Sequence, residues 1–494
     1  INMEYNSFKN LIILTPEIFL GTSIITLIIY GSSIVSNTKK NFPLIISAIS
    51  KLTILILIFT IFLTYTSSLS YDSFFFSKTF IKDDLSVVVK ITLLISAMLC
   101  LLITENYLNY QKITSFEYII ILLLALQGLL LLTSSFDLIS TYLAIELQSL
   151  SFYVLAGYKK NSTFSTESGL KYFILGSFSS GFLLLGFSFV YGFTGVTNFE
   201  DISNFFFTTT YDSMLLDVAL IFILVALFFK LAVAPFHLWA PDIYEGSPSI
   251  STVFFAVLPK ISLLVLFVRL FYVNFYEVGP SYIEIFTNLA ILSVFVGTFG
   301  ALKQRKVKSL IAYSSISHAG FLLLAFSPIC FEGIQALFFY IFIYMLTSIC
   351  IWGVFMSINL RKHYSFKTSK HLSDFTALNK INPILALIFS VAFLSLAGIP
   401  PLVGFYAKVV VFFCAIESSL YFTTFFIILI SVISAFYYLR VIKTVYFEET
   451  THLKLFCNIN YEQSFILTVI FFNMIYLFLH PNLLTLICYK ISLL

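Results

Sequence analysis

Four ionisable side chains lie within long apolar runs of this sequence. They are Glu146, Lys230, Lys260 and Lys408. A charged residue in such a run does not serve a solvated surface, so its presence indicates a chemical role. A charge at the bilayer centre costs roughly 2.5–3.5 kcal/mol even on lenient insertion scales, so few such residues are expected to lack a function. An amine removed from water can exchange its proton with a neighbour, and a nearby carboxylate favours its charged form. One carboxylate and three amines therefore predict a proton relay across the membrane plane.

A plainer interpretation remains open, in which Glu146 pairs with one lysine as a structural contact while the other lysines reach the headgroups. The mid-span positions of Glu146 and Lys260 favour function over this interpretation. Further ionisable residues lie within about two turns of a predicted helix end, where a long side chain can reach the headgroups. For these we expect anchoring at the membrane interface: Glu17, Lys51, Lys90, Arg269, Glu417 and Arg440.

Three more residues could support the relay: Lys171, His237 and His318. Lys171 lies about one turn into its predicted span, where snorkelling and relay are equally compatible with the sequence. A histidine in apolar surroundings is more often a hydrogen-bonded structural group than a proton shuttle, although its pKa suits both. The shuttle interpretation of His237 and His318 is therefore the lesser one.

Proline interrupts two of the apolar runs, at Pro235 and at the pair Pro400 and Pro401. Lys230 precedes the first break by about one helical turn, and Lys408 follows the second by about two turns. A helix break in a membrane frees backbone carbonyls, which line a wet cavity rather than face lipid. We therefore expect both lysines to lie beside such a cavity.

Membrane helices must position these residues, because 59% of the 494 residues are apolar and only 11% are charged. A soluble domain carries about 25% charged residues, so a soluble enzyme, a disordered chain and a nucleic-acid-binding protein are excluded. Windows of about 20 apolar residues predict an all-α polytopic protein. The first span is longer than a signal-peptide core and lacks a cleavage site, so we expect it to be retained. The spans lie near 10–30, 43–66, 84–104, 116–133, 135–157, 167–194, 212–235, 249–274, 283–301, 308–328, 332–358, 379–417 (one broken helix), 420–442 and 462–480.

The six cysteines include no CxxC pair and do not cluster with histidine, a pattern that excludes an iron–sulfur cluster or a structural zinc. No GxGxxG or P-loop pattern opens a helix after a strand. We therefore expect no metal and no cofactor in this chain. If the protein takes part in redox chemistry, other chains carry the cofactors.

Lysine and arginine are distributed unevenly between the loops. Loops after odd-numbered spans hold sixteen of them, whereas the opposite side with both termini holds four. Basic loops mark the compartment from which the chain inserts. Both termini are therefore expected to face away from the positive compartment.

A weak internal repeat relates the two breaks, since Lys230-Leu-Ala-Val-Ala-Pro235 aligns with Ser395-Leu-Ala-Gly-Ile-Pro400 at an offset of 165 residues and five spans. An odd number of spans per unit gives the two copies opposite topology, as in inverted-repeat transporters. We expect an N-terminal three-helix segment (1–115), a first repeat (116–274), a second repeat (283–442) and a C-terminal helix (443–494).

Five motifs match one family: Ala144–Leu150, Gly169–Gly176, Phe229–Pro248, Tyr313–Gly320 and Ala397–Phe405. With them the chain resembles the antiporter-like subunits of respiratory complex I, and most closely the mitochondrial subunit 2 type. The resemblance runs from about residue 10 to 480, and the stretch from Phe229 to Pro248 is its most specific part. Residues 70–85 and 448–460 match less well, so no role is assigned to them.

The resemblance implies fourteen helices with two inverted five-helix repeats and broken helices 7 and 12. It implies a core subunit of the membrane arm of NADH:ubiquinone oxidoreductase in the mitochondrial inner membrane, beside other antiporter-like subunits and membrane lipids. It places NADH, FMN, the iron–sulfur clusters and ubiquinone on other subunits, with the basic loops on the matrix side and the termini in the intermembrane space. Family residues of helices 5, 6, 7, 8 and 12 fall on Glu146, Lys171, Lys230, Lys260 and Lys408; the lysine at the last position is typical of subunit 2.

Three other interpretations remain. A subunit of a multi-subunit sodium/proton antiporter would share the broken helices, although Lys408 favours complex I. A structural subunit that does not pump would keep the same polar residues without their role. A redox subunit is disfavoured by the missing ligand patterns.

Overall fold

The computed structural model describes residues 11–37, 43–67, 73–111, 113, 115–208, 214–362, 365–448, 455–456 and 459–493. Five lysines of the loop-charge prediction lie outside these residues: Lys9, Lys39, Lys40, Lys112 and Lys454. The charge asymmetry therefore stays a prediction.

The described helices of the first half bury apolar faces against one another. They are α1 (Thr15–Asn37), α2 (Pro43–Ser67), α3 (Asp84–Tyr110), α4 (Glu117–Ser134), α5 (Leu138–Ala156), α6 (Thr163–Thr194), α7 (Phe199–Thr208), α8 (Met214–Leu231), α9 (Trp239–Gly246) and α10 (Ser249–Val268). A six-residue π-helix, Arg269–Asn274, extends α10.

The second half continues with helices of similar length. They are α11 (Ile283–Leu302, after the 3-10 turn Gly279–Tyr282), α12 (Val307–Phe326), α13 (Phe331–Ser357), α14 (Leu378–Ile381, after the 3-10 turn Leu372–Phe375), α15 (Pro383–Ala397), α16 (Val403–Glu417), α17 (Tyr421–Tyr446), α18 (Tyr461–Leu479) and α19 (Asn482–Ser492).

Thirteen helices of the described residues are long and apolar enough to cross a membrane. They correspond to thirteen of the fourteen predicted spans, and the remaining one, 379–417, is divided into α15 and α16. These helices confirm the all-α polytopic membrane fold. The short helices α7 and α19 were not predicted, because neither is long enough to register in a window of about 20 residues.

Short strands occur only in connecting segments of the described chain. The strands β1 (Ser73–Phe75) and β2 (Phe80–Lys82) form an antiparallel hairpin. A second sheet has the order β4 (Ser365–Thr368), β3 (Asn359–Lys362) and β5 (Leu455–Phe456), with both pairings antiparallel. The strands β1, β2 and β5 fall within the two segments to which the sequence assigned no role.

The centre of the molecule is built on α10, every residue of which is buried. This helix packs against α3, α4 and α13, and α12 packs along α11. Helices at the periphery, such as α17, instead expose rows of large apolar side chains that suit contact with lipid. A residue on α10 therefore faces protein whichever way it points, and this excludes snorkelling for Lys260.

Both proline-containing segments interrupt helices. After α8 the chain turns at Ala232, whose φ is 59°, and the Trp239 indole N–H donates to the Phe229 carbonyl oxygen at 2.7 Å. The predicted span 212–235 therefore ends early, at Leu231. After α15 the chain turns at Gly398, whose φ is 79°. Near the end of each interrupted helix, a carbonyl oxygen accepts a hydrogen bond from a side chain of the element that follows: Phe229 from Trp239, and Ala397 from Lys408.

The anchoring prediction is wrong for three of the six residues near helix ends. Glu17 and Lys90 are buried and form an ion pair at 2.5 Å. Arg269 is buried, and its guanidinium lies 3.0 Å from Asp83, which follows the β1–β2 hairpin. Since helix packing brings an opposite charge to each of them, these side chains are neutralised inside the protein and do not reach for the headgroups.

Candidate functional site

Lys260 lies at the middle of α10, one residue after Pro259, and its side chain is buried. Its amine donates to the Ser315 carbonyl oxygen on α12 at 3.2 Å and to the Tyr344 hydroxyl on α13 at 3.1 Å. The amine also lies 4.7 Å from the centre of the Tyr344 ring. All these partners are neutral. An ammonium group held only by neutral dipoles is free to give up its proton without leaving an unpaired carboxylate behind.

Lys408 lies on α16 and is also buried. Its amine donates to the Ala397 carbonyl oxygen at 2.8 Å, and Ala397 is the last residue of α15. The final carbonyls of a helix lack intrahelical partners and carry the negative end of the helix dipole. The break therefore supplies a neutral acceptor with partial negative charge at the place where a buried amine needs one.

Glycine makes this contact between Lys408 and the end of α15 possible. A Cβ at Gly398 would lie 2.8 Å from the Lys408 Cδ atom and 3.2 Å from its amine. A Cβ at Gly404 would lie 1.8 Å from the Ser395 carbonyl oxygen, and the Gly404 N–H donates to the Ser395 hydroxyl at 3.1 Å. The two half-helices can approach this closely only because neither position carries a side chain.

His318 lies between the two lysines on α12, and its ring is buried. Its Nδ1 atom is 2.6 Å from the Tyr340 hydroxyl, and its Nε2 atom is 3.1 Å from the Tyr438 hydroxyl. The charges of both Lys408 and Lys260 act on the imidazole. The Tyr344 ring, whose hydroxyl holds Lys260, has its centre 5.1 Å from that of the imidazole. His318 is thus placed to connect the two amines.

A cavity of about 10 Å³ lies beside His318, Tyr344 and Lys408. This volume has room for about one water molecule, although the surface that faces the cavity is mostly apolar. We call Lys260, His318, Lys408 and the tyrosines that bond them the buried cluster. Amine, imidazole and phenol groups within reach of one water molecule can pass protons between them.

Glu146 and Lys230 are not part of the buried cluster. Glu146 is half-buried on α5 and accepts from the Ser149 hydroxyl at 3.3 Å. Lys230 is half-buried at the end of α8, and the charge of Glu146 acts on it. In the part of the chain that the structure describes, no ion pair within 4.0 Å joins the two. The pair is therefore close enough to interact and yet apart in this structure.

The two remaining supporting residues occupy different surroundings. Lys171 is partly exposed on α6, where its amine lies 2.9 Å from Glu167 and 3.0 Å from Asp242. His237 follows Pro235 between α8 and α9, and its buried Nδ1 atom has no hydrogen-bond partner among the described residues. Neither side chain reaches the buried cluster.

The tyrosines are the members of the site that the sequence analysis missed. Tyr340 and Tyr344 share one face of α13, at a spacing of four residues in a mostly apolar helix, and this was the available signal. Tyr438 belongs to α17, 120 residues from its partner His318. Tyr244 on α9 is buried and interacts with the Ser315 side chain, so it connects α9 to the surroundings of Lys260.

Comparison with known proteins gives similarity over most of the chain. The family model described as NADH:quinone oxidoreductase/Mrp antiporter, TM, matches residues 135–434. The NADH-ubiquinone oxidoreductase chain 2 of Marchantia polymorpha is 40% identical over 97% of this chain and 98% of the relative. The NADH-quinone oxidoreductase subunit N of Pelagibacter ubique is 39% identical over 89% of this chain and 90% of the relative.

Solved structures give the same result at the level of the fold. A chain of respiratory complex I from Thermus thermophilus superimposes with a TM-score of 0.78 at 28% identity, covering 95% of this chain and 98% of that one. A chain of the Mrp complex from Dietzia superimposes with a TM-score of 0.83 at 18% identity, covering 98% of this chain and 97% of that one. The second likeness is one of fold alone.

Proposed function

Because this chain belongs to the NADH:quinone oxidoreductase/Mrp antiporter family, as a multi-pass inner-membrane homologue of complex I subunit 2 or N that partners other membrane-arm subunits, we propose that it translocates protons through the buried cluster. One observation carries the proposal: two buried amines are held by neutral acceptors with an imidazole between them. A lysine ion-paired to a carboxylate would be fixed as an ammonium group, whereas these can alternate between charged and neutral forms.

The control of this exchange is assigned to Glu146 and Lys230. When the two side chains approach, the carboxylate stabilises the lysine charge; when they separate, as in this structure, that stabilisation weakens. Among the described residues no direct bond joins Lys230 to Lys260, so water would have to connect them. Energy would come from quinone reduction in other subunits, and a proton would leave by way of Lys408.

The proposal also covers the cofactors of the complex, the membrane in which it lies and the orientation of this chain. NADH, FMN, the iron–sulfur clusters and ubiquinone would be bound by other subunits. The membrane would be the mitochondrial inner membrane, with the basic loops in the matrix and both termini in the intermembrane space. The two inverted repeats at 116–274 and 283–442 would be the units on which the two broken helices lie.

Lys260 provides the test, in the assembled complex reconstituted into sealed vesicles. Lys260→Met removes the exchangeable amine, and Lys260→Arg keeps a cation that stays protonated in proteins. We expect both variants to lower NADH-driven proton transport by at least about tenfold, since positioned acid–base groups typically contribute more than that. NADH oxidation by an artificial electron acceptor reports the redox subunits and should be retained, and co-migration of this chain with them on a native gel measures assembly.

The Arg variant separates exchange from structure. If Lys260→Arg pumps normally while Lys260→Met does not, the amine is needed only as a charge, and the proposal fails. Normal pumping by an assembled Lys260→Met complex would also overturn it. Lys303→Met, at an exposed lysine just after α11, is the matched control and should leave transport unchanged.

A further inference from the structure

A pocket of about 290 Å³ opens at the ends of several helices and collects four lysines: Lys159, Lys306, Lys308 and Lys370. We call it the basic pocket. His371 also lines it, and Glu245 is its single carboxylate among the described residues. Basic loop residues normally spread over a solvated face, where they set the orientation of the chain. Here they converge on one cavity, which requires another explanation.

The bonds within the basic pocket do not neutralise it. The Lys306 amine pairs with Glu245, whereas the Lys308 amine donates to the Ser247 carbonyl oxygen at 2.7 Å. The Lys159 amine donates to the neutral Gln111 side chain. One carboxylate thus faces four lysines. Burial and the positive charge of Lys370 lower the pKa of Lys159 to about 8. The amines of Lys159 and Lys370 are therefore close enough to repel each other.

Three helix N-termini add to the positive potential. The basic pocket is lined by Ser162, which caps α6, by Ser249, the first residue of α10, and by Lys306, which immediately precedes α12. A helix N-terminus carries partial positive charge and free N–H groups, which favour an anion and disfavour a cation. Lysines at such positions are unfavourable alone and become favourable when an anion binds among them.

We propose that the basic pocket binds a phosphate group, carried by a phospholipid headgroup or present as the free ion. Phosphate oxygens accept several charge-assisted hydrogen bonds at once, and basic pockets between membrane helices are suited to lipid phosphates. The bound anion would join the α5–α6 turn, which carries Lys159, to the start of α12 and to Lys370. It would therefore hold together the two units predicted at 116–274 and 283–442.

The rim of the basic pocket favours a lipid as the source of the phosphate. Phe164 lines the basic pocket and is 66% exposed, and large exposed apolar side chains continue from it along α6, among them Leu170, Phe173 and Ile174. A phosphate bound by the lysines would leave acyl chains to lie on this apolar face. The carboxylates of Glu167 and Asp242 on the neighbouring surface are engaged by Lys171 and so leave the lysines of the basic pocket uncompensated.

Protection of Lys370 from acylation tests the proposal on the whole complex. Lys370 is exposed and lines the basic pocket, whereas the exposed Lys303 lies outside it and serves as the internal control. The complex, washed free of lipid with detergent, is treated with an amine-reactive ester and the labelled peptides are quantified. We expect short-chain phosphatidylglycerol to slow labelling of Lys370 by about fivefold or more without changing Lys303, and phosphatidylcholine to protect less.

Removing one lysine should weaken the protection. Lys308→Gln is expected to raise the phosphatidylglycerol concentration for half-protection by about fivefold, the effect of roughly 1 kcal/mol per basic residue. Lys308→Arg should restore it. If Lys308→Gln does not assemble, Lys306→Gln at an exposed position replaces it.

Inorganic phosphate at constant ionic strength distinguishes the two sources. Protection by phosphatidylglycerol but not by phosphate identifies the headgroup, and protection by phosphate alone identifies the free ion; both support the site. Equal labelling of Lys370 with and without either probe overturns the proposal. So does cross-linking of Lys370 to an acidic segment of a neighbouring subunit, which would make that segment the occupant.

Discussion

The buried cluster and the basic pocket both gather lysines without enough carboxylates to pair them, yet they tolerate the charge in opposite ways. In the buried cluster each amine is isolated and bonded to a carbonyl or a hydroxyl, as Lys260 and Lys408 are. In the basic pocket four lysines share an opening with one another. A buried amine without a carboxylate partner avoids the free-energy cost of a buried charge by releasing its proton. Several solvent-accessible amines in one pocket instead reduce their mutual repulsion by binding an anion.

Lys171 differs from the lysines of both the buried cluster and the basic pocket, because two carboxylates pair its charge. It is partly exposed and lies within 3.0 Å of two carboxylates, Glu167 and Asp242. A lysine so paired has a stable charge and no reason to exchange a proton or to bind an anion. The partner of a lysine, and not only its depth in the membrane, therefore indicates what it can do.

The largest expected effect comes from closing the space on which the buried cluster depends. In Gly404→Ala the new Cβ would meet the Ser395 carbonyl oxygen at 1.8 Å, so α15 and α16 would have to separate. Overpacking of this kind costs about 1–3 kcal/mol or more. We expect loss of assembled complex or a clearly lower midpoint of thermal inactivation.

Gly181→Ala is the matched control for this change, because it lies on α6 and a Cβ added there would meet open space within 4 Å. Alanine favours a helix over glycine by about 1 kcal/mol, so this variant should be neutral or slightly stabilising. Equal stability of the two variants would show that the half-helices do not rely on close approach.

A smaller effect is expected at His318, which has two tyrosine partners and two lysine neighbours. His318→Gln keeps hydrogen bonding but removes the titratable ring, so proton transport should fall by about tenfold or more if the imidazole carries protons. Tyr340→Phe removes one hydroxyl and leaves the ring contact, and we expect a loss of only a few fold. The measurement is NADH-driven proton transport by the assembled complex in sealed vesicles.

Lys171→Gln serves as the comparison for His318, since an exposed ion pair contributes about 0–1 kcal/mol. Its effect on transport should be the smaller of the two. A loss at Lys171 that exceeds the loss at His318 would contradict the assignment of proton transfer to the buried cluster instead of to the ion-paired Lys171.

Much of the site could be predicted from sequence, because a charge within an apolar run is visible without knowledge of packing. Lys260 and Lys408 were predicted in this way, and so was the break that precedes Lys408. Their partners could not be found, since Tyr344 lies 84 residues from Lys260 and meets it only through the packing of α10 against α13. The same limit explains Glu17 and Lys90, which looked like separate anchors until two helices brought them together.

An effect on labelling, and none on transport, is expected at Lys159, which lies between α5 and α6 and senses the charge of the basic pocket. Burial and Lys370 lower its pKa to about 8, so about half of its amines are neutral and reactive at pH 8. In Lys370→Gln one of these causes is removed, and the pKa should rise towards 10.5. A rise of one pKa unit would lower the neutral fraction at pH 8 about fivefold.

Acylation of Lys159 is therefore followed in the lipid-free complex from about pH 7 to about pH 10, a range that brackets these pKa values. We expect the pH profile of acylation to shift to higher pH in Lys370→Gln. A bound phosphate should shift it in the same direction, because an anion stabilises the charged amine. An unchanged profile in the variant would mean that the lysines of the basic pocket do not sense one another, and the contrast with the buried cluster would then rest on burial alone.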